Sequence, residues 1–217
     1  MSPRPLVAVV DYGAGNLVSI HQALTSVGAD VRIADGSAGL VDADAIVVPG
    51  VGAAAPAMVR LERQGLVGPI AAWLAADRPF LGICLGLQLL FEGSDEDEAV
   101  TFGTLRGRTV RLPDAPTLPH IGWNQVERTR DHLLFDGIDD GADFYFVHSY
   151  AGAPSDGAEA SSLAAPDNLV LARTTHGRPF VSAVARGSMV GVQFHPERSG
   201  TDGLRLIANF VDLVRAA

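Results

Sequence analysis

Pro79-Phe80-Leu81-Gly82-Ile83-Cys84-Leu85-Gly86-Leu87-Gln88-Leu89-Leu90-Phe91 holds the only cysteine of a 217-residue chain. The apolar run Pro79 to Ile83 predicts a buried strand. Leu85 to Phe91 predicts a helix with Leu85, Leu89 and Leu90 toward a core and Gln88 toward a site. Cys84 falls at the joint, flanked by Gly82 and Gly86. A sharp strand-to-helix turn is strained and close-packed, so it needs small neighbours. It also sets its side chain near the positive end of a helix, a position that favours the nucleophilic thiolate. A lone cysteine in an apolar segment is more often a small buried hydrophobe. The far end of the chain shifts that balance. Gly191-Val192-Gln193-Phe194-His195-Pro196-Glu197 supplies a histidine and, two residues on, a carboxylate. If His195 ends a strand, Pro196 turns the chain and lets Glu197 come back to the imidazole. Thiol, base and orienting acid then complete the logic of an activated nucleophile.

Length and composition bound the rest. The chain is long enough for one domain with a large core, and 47% apolar residues exclude disorder. A net charge of -9 argues against a general binder of nucleic acid or anionic membrane. Asp95-Glu96-Asp97-Glu98 reads on its own as a solvated loop. One cysteine makes no internal disulfide, which fits a reducing cytoplasm. The opening Met1-Ser2-Pro3-Arg4-Pro5 leads into a run too short for a signal-peptide core, and no apolar run approaches a membrane span. CxxC, HExxH and EF-hand spacings are missing, so no structural metal is expected.

Leu6 to Val10 is a continuous apolar run ending at Asp11, as in a buried parallel strand. Asp11-Tyr12-Gly13-Ala14-Gly15-Asn16 follows as a glycine turn, whose spacing is wrong for a dinucleotide loop. Leu17, Ile20, Leu24 and Val27 mark a helix stopped by Gly28. Val31 to Ala34 and Ala45 to Val48 are further strands. The second is closed by Pro49-Gly50-Val51-Gly52, a turn able to aim an amide N–H inward as an oxyanion donor. Ala53 to Ala76 predicts two helical pieces. Strands alternating with helices imply a single-domain α/β fold over residues 1–217, a mostly parallel open sheet with helices on both faces. Ligands bind outside the carboxyl ends of such strands, where Asp11, Pro49 to Gly52 and Cys84 all fall. Thr109 to Leu112, Asn124 to Glu127, Asp143 to Val147, Val170 to Thr174, Val181 to Arg186 and Met189 to Phe194 predict hairpins and antiparallel additions in the second half. Pro119 to Asn124 reads as a loop and Ala151 to Asp167 as a mobile surface loop. Asp202 is expected to cap a last helix with Leu204, Ile207, Ala208, Val211 and Leu213 as its apolar stripe.

Taken together, Gly82-Ile83-Cys84-Leu85-Gly86-Leu87-Gln88 and His195-Pro196-Glu197 resemble the class I (triad) glutamine amidotransferases, whose fold is flavodoxin-like. Asp11-Tyr12-Gly13-Ala14-Gly15-Asn16, Pro119-His120-Ile121-Gly122-Trp123-Asn124 and Tyr145-Phe146-Val147-His148-Ser149-Tyr150 narrow the resemblance to the glutaminase subunits of imidazole glycerol phosphate synthases, of histidine biosynthesis. The resemblance covers the chain from Leu6 to the last helix. It implies hydrolysis of glutamine to glutamate and ammonia, and passage of the ammonia to a (β/α)8-barrel cyclase in a 1:1 heterodimer. The cyclase acts on a phosphoribulosyl-formimino aminoimidazole carboxamide ribonucleotide. It implies no cofactor and no metal. Carried over, Cys84 is the nucleophile, His195 the base and Glu197 its orienting acid. Leu85 and the Val51-Gly52 region supply the oxyanion donors. Gln88, Glu96, Ser149 and Tyr150 line the substrate pocket, and Asn16 and Tyr145 face the barrel. The Gly50-Val51-Gly52 backbone is expected to take two orientations under control of the partner's ligand.

The sequence departs from that pattern at Arg198, where the family commonly has lysine, and in the length of Ala151 to Asp167. Three other readings compete. A glutaminase subunit for anthranilate, pyridoxal phosphate or purine synthesis fits the triad equally, with the segment around Trp123 as discriminator. A stand-alone γ-glutamyl peptidase would need no partner. A non-catalytic binding module would tolerate loss of Cys84.

Overall fold

The computed structural model describes residues 4–155 and 168–217. Its first half runs Leu6–Val10 (β1), Leu17–Ser26 (α1), Asp30–Ala34 (β2), Ala45–Val48 (β3), Ala54–Arg63 (α2), Val67–Ala75 (α3), Phe80–Ile83 (β4) and Leu85–Gln88 (α4). Strands β2-β1-β3-β4 lie side by side and parallel. Helices cover both faces, which is why β1, β3 and β4 are unbroken apolar runs; β2, at the sheet edge, carries Asp30 and Arg32 and is largely unburied. Val7 and Val9 pack with Ile20 and Leu24 of α1 on one face. Ala8 and Val10 pack with Leu61 of α2 and Ile70 and Trp73 of α3 on the other. Between β2 and β3 the connection is a single 3₁₀ turn, Ser37–Leu40, not a full helix.

The second half adds Gly93–Ser94 (β5), Gly107–Arg111 (β6), His120–Arg128 (β7), Ala142–His148 (β8), Tyr150–Pro154 (β9), Val170–His176 (β10), Arg178–Arg186 (β11), Met189–Val192 (β12) and Gly200–Ala216 (α5). The large sheet continues from β4 as β12-β11-β10-β7-β8. Pairings from β12 outward are antiparallel, whereas β12 itself lies parallel to β4. Met189 to Phe194 is therefore not an antiparallel addition beyond the parallel half. It is the last parallel strand, and this decides where the histidine goes. Strands β5, β6 and β9 form a separate small sheet.

Four further expectations are corrected. Pro119 to Asn124 is not a loop, because β7 starts at His120 and pairs with β8 along its length. Ala151 to Pro154 belongs to β9, paired with β6; the rest of that expected loop, 156–167, lies outside the described residues. The helix after Cys84 ends at Gln88 rather than Phe91. Ser199, not Asp202, occupies the N-cap position of α5, and Asp202 sits in the first turn, where its charge suits the helix dipole. Of the expected stripe, Ile207 and Val211 are buried, but the rest of the apolar buried face is Leu206, Phe210 and Val214, with Ala208 and Leu213 half-buried and Leu204 40% exposed. No helix among the described residues is long and apolar enough to cross a membrane.

Candidate active site

Cys84 adopts φ 53°, ψ -106°, a left-handed backbone that a side-chain-bearing residue rarely takes. The fold holds it there by close packing on either side. A Cβ at Gly86 would collide with the Val48 carbonyl, and one at Gly82 would lie 2.6 Å from the Gly86 carbonyl oxygen. Only glycine lets α4 start directly against β3 and β4. The register of β12 on β4 pairs Val192 with Ile83, and the Cys84 amide donates to the Val192 carbonyl at 2.8 Å. The residues following each strand, Cys84 on one and Gln193 to His195 on the other, therefore come together at the carboxyl edge of the sheet.

His195 leaves β12 and Pro196–Arg198 makes one 3₁₀ turn. That turn folds Glu197 back onto the imidazole, Nδ1 to Oε1 at 2.8 Å, with both side chains almost wholly buried. The ring is anchored from behind as well. The His195 amide donates to the Tyr145 carbonyl at 2.8 Å, and Ser199 Oγ donates to the His195 carbonyl at 2.6 Å. Burial opposes charge on His195, but Cys84 and Glu197 outweigh it and raise its pKa from 6.5 to about 10. Nε2 makes no hydrogen bond of normal geometry, so this nitrogen remains available beside the sulfur.

Gly52, Cys84, Gln88, Glu96, Ser149 and Tyr150, with Ala53, Pro119, Val147 and His148, line one cavity of about 190 Å³. Burial, then Asp97, raises the pKa of Glu96 there. A larger cavity of about 570 Å³, lined by Arg106, Arg130, His132 and Arg186, lies at the opposite end of the strands, by the β11–β12 turn. It contains none of the groups just described, and chemistry rather than size marks the site.

The expected oxyanion donors are arranged differently from one another. The Leu85 amide donates to the Gly50 carbonyl at 3.4 Å and so is occupied. Val51 is 45% exposed, and Gly52 has φ 98°, so this turn faces solvent through a glycine-only conformation. Gly50 is pinned by Tyr12, whose hydroxyl a Cβ there would overlap. That hydroxyl is itself buried without a hydrogen-bond partner.

Asn16 is exposed at the N-terminus of α1, and its Oδ1 accepts from the Ser19 amide at 3.2 Å. The Arg198 guanidinium stacks over the Tyr145 ring at 4.4 Å, and Trp123 meets the same ring edge-on at 6.1 Å. A planar guanidinium suits that stacking better than an ammonium. Val18, Ile121 and Trp123 stand 67%, 60% and 56% exposed. Sequence reasoning gave no role to Gln193, Ser199, His120 or His148. Gln193 lay inside the quoted motif, but only the β12–β4 register shows that it faces the sulfur.

Residues 8–213 match the glutamine amidotransferase class-I family. The imidazole glycerol phosphate synthase subunit HisH of Moorella thermoacetica is 43% identical over 215 residues, covering 99% of this chain and 97% of its own. The subunits of the same name from Symbiobacterium thermophilum and Microcystis aeruginosa are 44% and 45% identical, over 96% and 97% of this chain and 94% and 96% of theirs. A crystal structure of a glutamine amidotransferase superposes with TM-score 0.73 at 18% identity, covering 96% of this chain and 98% of its own. A chain of PurLQS from Thermotoga maritima does so at 0.71 and 20%, with the same coverage. At such identities these two speak for the fold.

Proposed function

The chain belongs to the class-I glutamine amidotransferases, in the family of the imidazole glycerol phosphate synthase HisH subunits, and from that membership we propose that it is a glutaminase delivering ammonia to a (β/α)8 cyclase. It acts as one domain over residues 1–217, in the cytoplasm, where its single thiol stays reduced. Cys84 attacks the side-chain amide carbon of glutamine. His195 takes the thiol proton and returns one to the departing ammonia, and its raised pKa suits it to hold that proton. Glu197 keeps the ring oriented and offsets its charge. Water then cleaves the γ-glutamyl thioester to glutamate and free thiol.

Gln88 uses its amide nitrogen on the Tyr150 carbonyl and on Gln193. Its Oε1 therefore receives the substrate ammonium, alongside the Glu96 carboxylate. Ser149 and Tyr150 contribute main chain. For the oxyanion, the Gly50 carbonyl must leave the Leu85 amide and the Val51-Gly52 backbone must turn an N–H inward. The cyclase docks on the surface of Asn16, Tyr145 and Arg198, close enough to that turn to bias it. The observation that carries this proposal is the buried His195–Glu197 pair at the end of β12, beside the strained Cys84 turn at the end of β4.

The test is ammonia release from glutamine by the isolated chain, by the chain with the barrel, and by the pair with the ribonucleotide. Turnover rises at each step if the turn is partner-controlled. Equal turnover in all three removes the switch, and none in any removes the assignment.

A further inference from the structure

The sulfur of Cys84 has a partner that neither His195 nor Glu197 accounts for. Gln193 is wholly buried, and its Nε2 donates to Sγ at 3.5 Å. An amide can present either end, so something must fix this one's polarity. The Tyr150 carbonyl does, because it can only accept. It receives Gln88 Nε2 at 2.8 Å and His148 Nδ1 at 2.9 Å. Gln88 Nε2 also meets Gln193 Oε1 at 3.1 Å, which leaves the Gln193 nitrogen facing sulfur. Behind His148 the same polarity continues. His148 Nε2 accepts from His120 Nδ1 at 3.2 Å, and His120 Nε2 accepts from Asn124 Nδ2 at 3.1 Å. Asn124 Nδ2 also donates to the Thr175 carbonyl at 2.9 Å. One assignment satisfies every link with both imidazoles neutral. Burial is the main reason that their pKa values fall, to about 4 for His120 and about 3 for His148.

With Cys84 as the nucleophile assigned above, we propose that Gln193 is its positioning residue. It is the last donor in a hydrogen-bonded line from Asn124 on β7 through His120, His148, the Tyr150 carbonyl and Gln88 to the sulfur. An uncharged N–H aimed at sulfur favours the anion and fixes its direction, while leaving His195 free to move protons. His148 and His120 act at one remove, by holding the Tyr150 carbonyl that orients the two amides.

Because the chain has a single cysteine, the thiol can be read without glutamine. Iodoacetamide alkylation of Cys84 at pH 7 is followed by mass spectrometry for the wild-type chain, Gln193→Met and Gln193→Glu. The first variant removes the donor at similar volume; the second keeps the shape and offers an acceptor instead. Both are expected to alkylate about fivefold more slowly or worse, the gain in free-thiolate nucleophilicity offsetting only part of the lost hydrogen bond. With the barrel present, kcat for glutamine falls by a similar factor and KM stays within about threefold. A Gln193→Met chain that melts like wild type and alkylates at the wild-type rate overturns the proposal. If that variant does not fold, Gln193→Glu decides by the same rate. This proposal rests on the glutaminase assignment only for its kinetic arm. A wild-type chain that never releases ammonia, yet shows the alkylation difference, defeats the assignment and leaves the Gln193–sulfur contact standing.

Discussion

His195 is a buried imidazole whose charge depends on two neighbours, Cys84 and Glu197. Its folded pKa is raised from 6.5 to about 10, so the stability it contributes is fully present below pH 6.5 and is lost as pH rises through about 10. Glu197→Gln keeps the shape and the Nδ1 partner but removes the carboxylate charge. That change lowers the His195 pKa, so the alkaline limb of kcat moves toward neutral pH. A loss on the order of 10⁴ in kcat is expected, the size found when the orienting acid of a Ser-His-Asp triad is neutralised. A pH–rate profile of the variant with the barrel present checks both parts; an unmoved alkaline limb means that Glu197 does not hold the base.

At the scale of elements, the site depends on how closely α4 approaches β3. Gly86→Ala places a methyl against the Val48 carbonyl, which is sheet backbone and cannot yield, so a loss of about 1–3 kcal/mol or more is expected by denaturant titration. Gly68→Ala is the control: its Cβ meets nothing within 4 Å beyond its chain neighbours, and Pro69 after it withholds the usual helix-interior gain, so stability should change by less than about 0.5 kcal/mol. The turn at Cys84 was legible in sequence because two apolar runs of different period flank a residue set between glycines. His195 and Glu197 were legible because a single proline turn joins them. The first half of β7, His120 to Trp123, was not, although Asn124 to Glu127 was read as a strand. It alternates buried and exposed positions from His120 onward, but Gly122 at φ 135° and two exposed apolar residues, Ile121 and Trp123, mask the strand pattern. The stripe of α5 was legible only in part: Ile207 and Val211 are buried as read, but Leu206, Phe210 and Val214, not Leu204, Ala208 and Leu213, complete the face, because packing against the rest of the fold chooses among apolar residues that nearly encircle this helix. Gln193 was unreadable for a different reason: its neighbours are set by the β12–β4 register, a long-range pairing that local pattern does not contain.

Across the whole molecule, charge is unevenly guarded. His120 and His148 sit neutral in an aromatic nest with Phe146 and Phe180, and His176 stacks on His120 with ring centroids 4.0 Å apart. Between the unfolded value near 6.5 and the folded value of about 3 for His148, the unfolded chain binds the extra proton. Stability therefore falls as pH falls through that window. His148→Asn keeps a donor for the Tyr150 carbonyl without a titrating ring, so its melting temperature should depend less on pH between about 6.5 and 3 than the wild type's. Parallel curves for the two chains would show that His148 does not carry the acid sensitivity.

The proposed chemistry rests on one sulfur. Glutamine-dependent ammonia release by the chain bound to its cyclase, with Cys84→Ala measured against wild type, tests that most directly. The expected result is an intact complex with turnover lower by a factor on the order of 10⁴ or more; an intact complex that still releases ammonia at the wild-type rate would contradict it.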